Sequence, residues 1–370
     1  MPSLCRWIFL LSLTIAGSAP GAAEGATVTV IDHPDLVDDA RGGRPVPLMV
    51  WVPDGPGPFP VVVLSHGGGG SRESFRDLAN PLARRGYVVI CPQHAYSDRV
   101  AARELFEESL RRILTGRRQR LRDLPAEERK AVTAEAFLDA LHRMTKNPKA
   151  MLERPGDVSF ALDRATEWNR QEGRLKGRLD LEAIAVGGHS FGAYTTLVVC
   201  GARPVLDHLD PPVAPGHGLA PDASDPRVRI GIAMSPQSPR GVYFGEESYA
   251  TIDRPLLCLS GSKDTEKGRQ GELLPGEGRK EAFRLMPPGD KHLVWLDGAD
   301  HMSFTFYESP DLPLTPSPAL RDTQRITSAL VFSFCDLHLK RSEAARGVFN
   351  VAHAHSLCGA EVTKVEWWSK

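Results

Sequence analysis

A chain of 370 residues, 41% hydrophobic and 25% charged, has the composition of a globular protein able to bury a substantial core. Its 45 basic and 46 acidic side chains leave a formal net charge of -1, so no global field draws it to nucleic acid, and none is expected as a partner. Beyond the N-terminal segment no stretch is long and apolar enough to span a membrane.

The N-terminus reads as an export signal. Residues 1–6 carry a positive charge, residues 7–17 are apolar, and residues 18–23 supply small side chains. That apolar run is shorter than the roughly 20 residues a bilayer requires, so a signal peptide cleaved after Ala23 is expected rather than an anchor. The mature chain, 24–370, is then one exported domain, periplasmic or secreted. Export permits disulfides. Cys91, Cys200 and Cys258 lie in core-like runs, which leaves Cys335 and Cys358 as the pair to consider for a bridge.

Runs rich in Val, Ile and Leu, bounded by Gly, Pro or Asp, predict strands at 27–31, 46–52, 59–65, 87–91, 181–187, 228–234, 255–260 and 292–296. Helical stripes alternate with them. Phe75, Leu78, Ala79, Leu82 and Ala83 recur at helical spacing and stop at Gly86, with Pro81 placed to kink the helix. Residues 99–149 are charged, helical in character and far longer than an ordinary loop. They predict an inserted cap. Val158, Ala161, Leu162, Ala165 and Trp168 mark another helix, and residues 190–200 a third. After a Pro- and Asp-rich loop at 203–226, a last helix carries Ile326, Leu330, Phe334 and Leu337. The alternation predicts an α/β protein with a mostly parallel eight-stranded sheet, helices on both faces and one helical insertion.

The chemistry centres on Gly188-His189-Ser190-Phe191-Gly192. An apolar strand enters this motif and an apolar helix leaves it, the context in which a serine is presented on a tight turn. Ser190 is the expected nucleophile. Such a serine needs a base, and the base an orienting acid, in the chain order serine, acid, histidine. His301 follows the strand at 292–296 and Asp264 the strand at 255–260, so these are the expected base and acid. His292 sits at the wrong end of its strand, Asp297 and Asp300 suit the turn that carries His301, and Glu266 and Glu247 are fallback acids. The oxyanion donors are expected to be the N–H groups of Phe191 and of Gly68, the latter in the run Ser65-His66-Gly67-Gly68-Gly69-Gly70. His66 reads as a brace for that loop.

Together with the segments 38–53, 84–98 and 154–163, these residues make the chain similar to the α/β-hydrolases. Within that fold it resembles the serine esterases grouped with platelet-activating-factor acetylhydrolase and predicted dienelactone hydrolases. The resemblance implies an α/β-hydrolase fold and ester hydrolysis. It departs in two places. Dienelactone hydrolases use cysteine where this chain has Ser190, and the acetylhydrolase places its acid after the strand that here ends Ala233-Met234-Ser235, where no carboxylate stands. The expectation is a carboxylic ester hydrolase that works through an acyl-enzyme on a small-molecule or polymer ester. No cofactor and no metal are implied, and the tail 353–358 reads as packed chain rather than as a metal site. Amide hydrolysis and a non-catalytic binding role are the alternatives.

Overall fold

The computed structural model describes residues 27–306 and 317–370. The expected signal peptide lies outside the described residues. The central sheet has nine strands rather than the eight expected: β1 (Val28–His33), β2 (Leu48–Pro53), β3 (Phe59–Ser65), β4 (Val88–Pro92), β5 (Leu179–His189), β6 (Ile230–Met234), β7 (Leu256–Lys263), β8 (Lys291–Asp300) and β9 (Val365–Ser369). They lie in the order β1-β2-β4-β3-β5-β6-β7-β8-β9. From β4 through β8 every pairing is parallel, whereas β1, β2 and β9 join antiparallel. This is the α/β-hydrolase fold.

The strands form because their apolar side chains serve both faces. In β3, Val61 and Val63 enter one core, while Val62 and Leu64 enter the core on the other side. Helices α1 (Arg76–Arg84), α2 (Arg99–Arg117), α3 (Ala126–Lys146), α4 (Pro148–Leu152), α5 (Arg154–Arg170), α6 (Phe191–Val199), α7 (Arg279–Leu285) and α8 (Leu320–Leu339) follow. Helices α5 and α6 cover one face through Val158, Leu162, Tyr194 and Leu197. Helices α1 and α8 cover the other through Leu78, Leu82, Ile326 and Phe334.

The ninth strand comes from a short Trp-rich end, Val-Glu-Trp-Trp-Ser, that is recognisable as a strand only beside its partner. It pairs Val365 with Leu296 and Ser369 with His292. Cys335 is buried in α8, and Cys358 is half-buried just beyond the short helix Val351–Ser356. All five described cysteines are free thiols, so the considered bridge is absent. The tail 353–358 falls largely within a short helix, Val351–Ser356.

The insertion at 99–149 forms an antiparallel pair, α2 and α3. Arg117 meets Glu135 at 2.6 Å and Arg143 meets Glu108 at 2.9 Å, which ties the two helices along their length. Only α3 carries a buried seam, Val132, Ala136, Ala140 and Met144, spaced one helical turn apart. At the end of that seam Met144 reaches the glycine loop that follows β3, where a Cβ on Gly68 would stand 3.3 Å from its sulfur.

Candidate active site

Strand β5 ends at His189 and α6 starts at Phe191, so Ser190 alone makes the turn between them. It does so at φ 57° and ψ -116°, a strained conformation for a residue with a side chain. The flanking glycines answer a close approach. A Cβ on Gly188 would stand 2.5 Å from the Ser65 carbonyl oxygen, and one on Gly192 would collide with the same oxygen. Helix α6 therefore crosses the end of β3 at a distance only hydrogen atoms permit.

The structure brings Ser190, His301 and Asp264 together. Ser190 Oγ lies 2.9 Å from His301 Nε2, and His301 Nδ1 lies 2.8 Å from Asp264 Oδ1. Asp264 is fully buried at the end of β7, and its other oxygen accepts from Ser260 Oγ at 2.8 Å. Burial alone would raise its pKa. The Arg279 guanidinium, 3.0 Å away, and the bond from His301 outweigh burial and hold the carboxyl well below the usual range. Asp264 is thus a carboxylate, able only to accept. His301 must carry its proton on Nδ1, which leaves Nε2 to receive the serine proton.

Of the other residues weighed, Asp300 caps the short turn that carries His301, accepting from Ser303 N–H at 3.0 Å. His292 pairs with Asp290 at 2.8 Å, at the opposite end of β8. Glu266 lines the cavity above Ser190. Its pKa is raised by burial, against the pull of Arg279.

Sequence reasoning missed three further residues. Arg279, from α7, donates to the Ser235, Pro236 and Asp264 carbonyls as well as pairing with the Asp264 carboxylate. Its local sequence, Glu-Gly-Arg-Lys-Glu, carries no sign of that role. Gln237 donates to the Ser190 carbonyl at 2.6 Å, bracing the turn from β6. His189 donates from Nε2 to the His301 carbonyl at 2.8 Å. It stands inside the serine motif, which was the available signal.

The residues of the two expected oxyanion donors, Gly68 and Phe191, both line the cavity that contains Ser190, and a Cβ on Gly68 would stand 3.8 Å from the Phe191 ring. Among the described residues neither the Phe191 N–H nor the Gly68 N–H has a hydrogen-bond acceptor, unlike Ser190 N–H, which donates to Met234 O at 3.0 Å. A Cβ on Gly67 would stand 3.6 Å from Ser190 Cβ, so the glycine run lies directly against the nucleophile. His66 accepts from His94 N–H at 3.1 Å through Nε2 and so donates from Nδ1 to the Gly67 carbonyl at 2.7 Å. It braces the loop.

Above these groups opens a cavity of about 830 Å³. Phe137, Leu141 and Met144 of α3 form one wall, and Val242, Tyr243 and Phe306 contribute to the others. Such a volume accepts a ligand of drug size. Among the described residues no group of three His, Cys, Asp or Glu side chains is placed to hold a metal ion.

Three histidines around the site, His66, His94 and His189, are buried and neutral. Burial drives each pKa down, His94 and His189 to about 3 and His66 well below its model-peptide 6.5. A depressed folded pKa means the unfolded chain takes up protons first as pH falls. The stability these residues allow is whole above about pH 6.5 and is lost toward about pH 3. Unfolding free energy is therefore expected to fall as pH drops below about 6.5. Urea denaturation between pH 8 and pH 4 measures this; a flat midpoint between pH 7 and pH 5 would show the three rings solvated.

The family model described as platelet-activating factor acetylhydrolase, isoform II, matches residues 52–263. Ser190 and the glycine loop lie inside the match, and Asp264 and His301 follow it. The platelet-activating factor acetylhydrolase of Cavia porcellus is 24% identical over 255 residues, covering 66% of this chain and 48% of that protein. The same enzyme of Canis lupus familiaris is 23% identical over 251 residues, covering 66% and 48%. The chain thus spans about half the length of the relatives it matches. By the extent of the family match and by its fold, it belongs to the platelet-activating factor acetylhydrolase, isoform II, family.

Proposed function

We propose that this protein is a serine-dependent carboxylic ester hydrolase. The observation that carries the reading is the continuous line of hydrogen bonds from Ser190 through His301 to a buried Asp264, at the floor of an open cavity. Ser190 Oγ attacks the ester carbonyl carbon while His301 Nε2 takes its proton. The carbonyl oxygen becomes an oxyanion between the Gly68 and Phe191 N–H groups, where fixed donors need no reorganisation. Collapse expels the alcohol, which receives the proton from His301, and leaves an acyl-serine. Water, deprotonated by His301, then releases the acid and restores the serine. Asp264 holds the imidazole in the required tautomer and stabilises its charged form.

The relatives' names give removal of an acetyl group from platelet-activating factor as their activity. The reading for this chain is broader: esters whose apolar part fills the cavity under α3. Residues 99–149 act as a cap that selects the acyl or leaving group. The mature chain, 24–370, is one exported domain, cleaved after Ala23. Among the described residues no helix is long and apolar enough to cross a membrane.

The test is turnover of p-nitrophenyl esters of increasing acyl length, together with a fluorophosphonate probe and peptide mapping. A single adduct on Ser190, formed at the rate at which activity disappears, is expected. Labelling elsewhere, or no turnover of any ester by the folded protein, would sink the reading. In the same series, Leu141→Trp should shift the optimum to shorter acyl chains, and an unchanged profile would remove the cap from substrate selection. The mass of the exported protein reports cleavage after residue 23.

A further inference from the structure

Behind the glycine loop lies a second line of serine, histidine and aspartate. Ser65 Oγ lies 2.8 Å from His94 Nε2, and His94 Nδ1 lies 2.9 Å from Asp157 Oδ2. All three side chains are completely buried, so no substrate reaches them. Asp157 is gripped on both oxygens by Arg44, at 2.7 and 2.8 Å. Although burial opposes it, that grip and the bond from His94 hold the carboxyl well below its usual range. Asp157 therefore accepts from His94 Nδ1, His94 Nε2 accepts from Ser65, and the Ser65 oxygen is left to accept a bond of its own.

That bond comes from Arg154, a completely buried side chain at the start of α5. Its Nη2 donates to Ser65 Oγ at 3.1 Å and to the His66 carbonyl. Its Nη1 donates to Ser97 Oγ at 2.7 Å, and Nε to Thr195 Oγ1 at 2.8 Å. The guanidinium also stands 4.4 Å from the centre of the Phe191 ring. These contacts fall on three separate segments. The Ser65–His66 contacts lead into the peptides that carry Gly68. Ser97 belongs to the turn whose carbonyl holds Gly69 N–H at 2.9 Å. Thr195 and Phe191 belong to the first turns of α6, where the other donor is.

We propose that Arg154 is a positioning residue that holds the Gly68 and Phe191 N–H groups on one point, by tying both their segments to a single planar cation. The inference rests on the esterase reading and names what that reading requires, a rigid link between two donors from different elements. A buried charge costs stability that a well-packed apolar side chain would not, so its value lies in geometry rather than in stability. Only a guanidinium presents donors in a fixed plane to several directions; a lysine offers a compact ammonium and cannot span the same partners. The Ser65–His94–Asp157 line keeps the Ser65 oxygen turned toward it.

The test compares Arg154→Lys, Arg154→Met and the milder Ser97→Ala and Thr195→Val with the wild type, on one p-nitrophenyl ester. Each is also titrated with a trifluoromethyl ketone, which forms a tetrahedral oxyanion on the serine. For folded Arg154 variants kcat should fall about 100-fold or more, as for loss of an oxyanion donor, with KM nearly unchanged. Affinity for the ketone should fall by the same factor, and lysine should not rescue either. Ser97→Ala and Thr195→Val should give about 10-fold losses of the same pattern, and they decide the matter if Arg154 variants do not fold. Variants of lowered melting temperature but wild-type kcat and ketone affinity would overturn the positioning role and leave the esterase reading intact. A wild type that turns over no ester would overturn both.

Discussion

Ser190→Ala is expected to lower kcat for ester hydrolysis by about 10⁶-fold while the chain remains folded. The backbone at this position is strained whether serine or alanine occupies it, and the bonds that hold the turn, from Gln237 to the Ser190 carbonyl and from Ser190 N–H to Met234, involve only its backbone. What disappears is the nucleophile and its bond to His301. Removing one member of such a unit costs nearly as much as removing the whole, since the remaining groups have nothing to act on. Asp264→Asn is expected to lose less, about 10⁴-fold, because an amide in that place favours the wrong imidazole tautomer and leaves the serine in position. Steady-state rates with circular dichroism on each variant measure this. A folded Ser190→Ala protein with wild-type turnover would remove the serine from the mechanism.

Gly192→Ala carries the largest expected effect on stability. The added methyl group would occupy the place of the Ser65 carbonyl oxygen, which is backbone of a central strand and has nowhere to move. Either α6 lifts from the sheet or the turn at Ser190 opens, and both disrupt a packed core. A loss of about 4 kcal/mol or more is expected, with a melting temperature lower by on the order of 10 °C. Gly116 is the control. Nothing lies within 4 Å of a Cβ placed there, and it sits within α2, so Gly116→Ala should be neutral or stabilise by up to about 1 kcal/mol. Equal melting temperatures for the two variants would refute the close approach of α6 to β3.

The esterase proposal and the positioning role of Arg154 divide the site into two layers. The exposed layer, Ser190 and His301, meets the substrate and moves a proton. The buried layer, Asp264 with Arg279 on one side and Arg154 with the Ser65–His94–Asp157 line on the other, moves nothing and holds the first in place. The two halves of the buried layer each pair a carboxylate with a guanidinium group in the interior, Asp157 with Arg44 and Asp264 with Arg279, where a lost partner would leave a charge uncompensated. Such sites favour a single geometry over many nearly equal ones.

Features that depend on neighbours along the chain were legible in the amino-acid sequence. The apolar runs that became β1 to β8 are local patterns, as are the glycines around Ser190 and the chain order that puts Asp264 and His301 beyond later strands. The insertion at 99–149 was visible because a stretch so long, rich in charge and helical in character cannot be an ordinary loop. Features that depend on distance across the fold emerge from the packing of its layers. Strand β9 exists because β8 offers it an open edge, and the thiols of Cys335, buried in α8, and of the half-buried Cys358 are both free. Arg279 and Asp264 are 15 residues apart, Arg44 and Asp157 are 113 apart, and neither pair shares a local motif. Hydrogen bonds and ion pairs act over a few ångströms, so the partners of a buried charge are fixed by how the layers pack, which no spacing along the chain records.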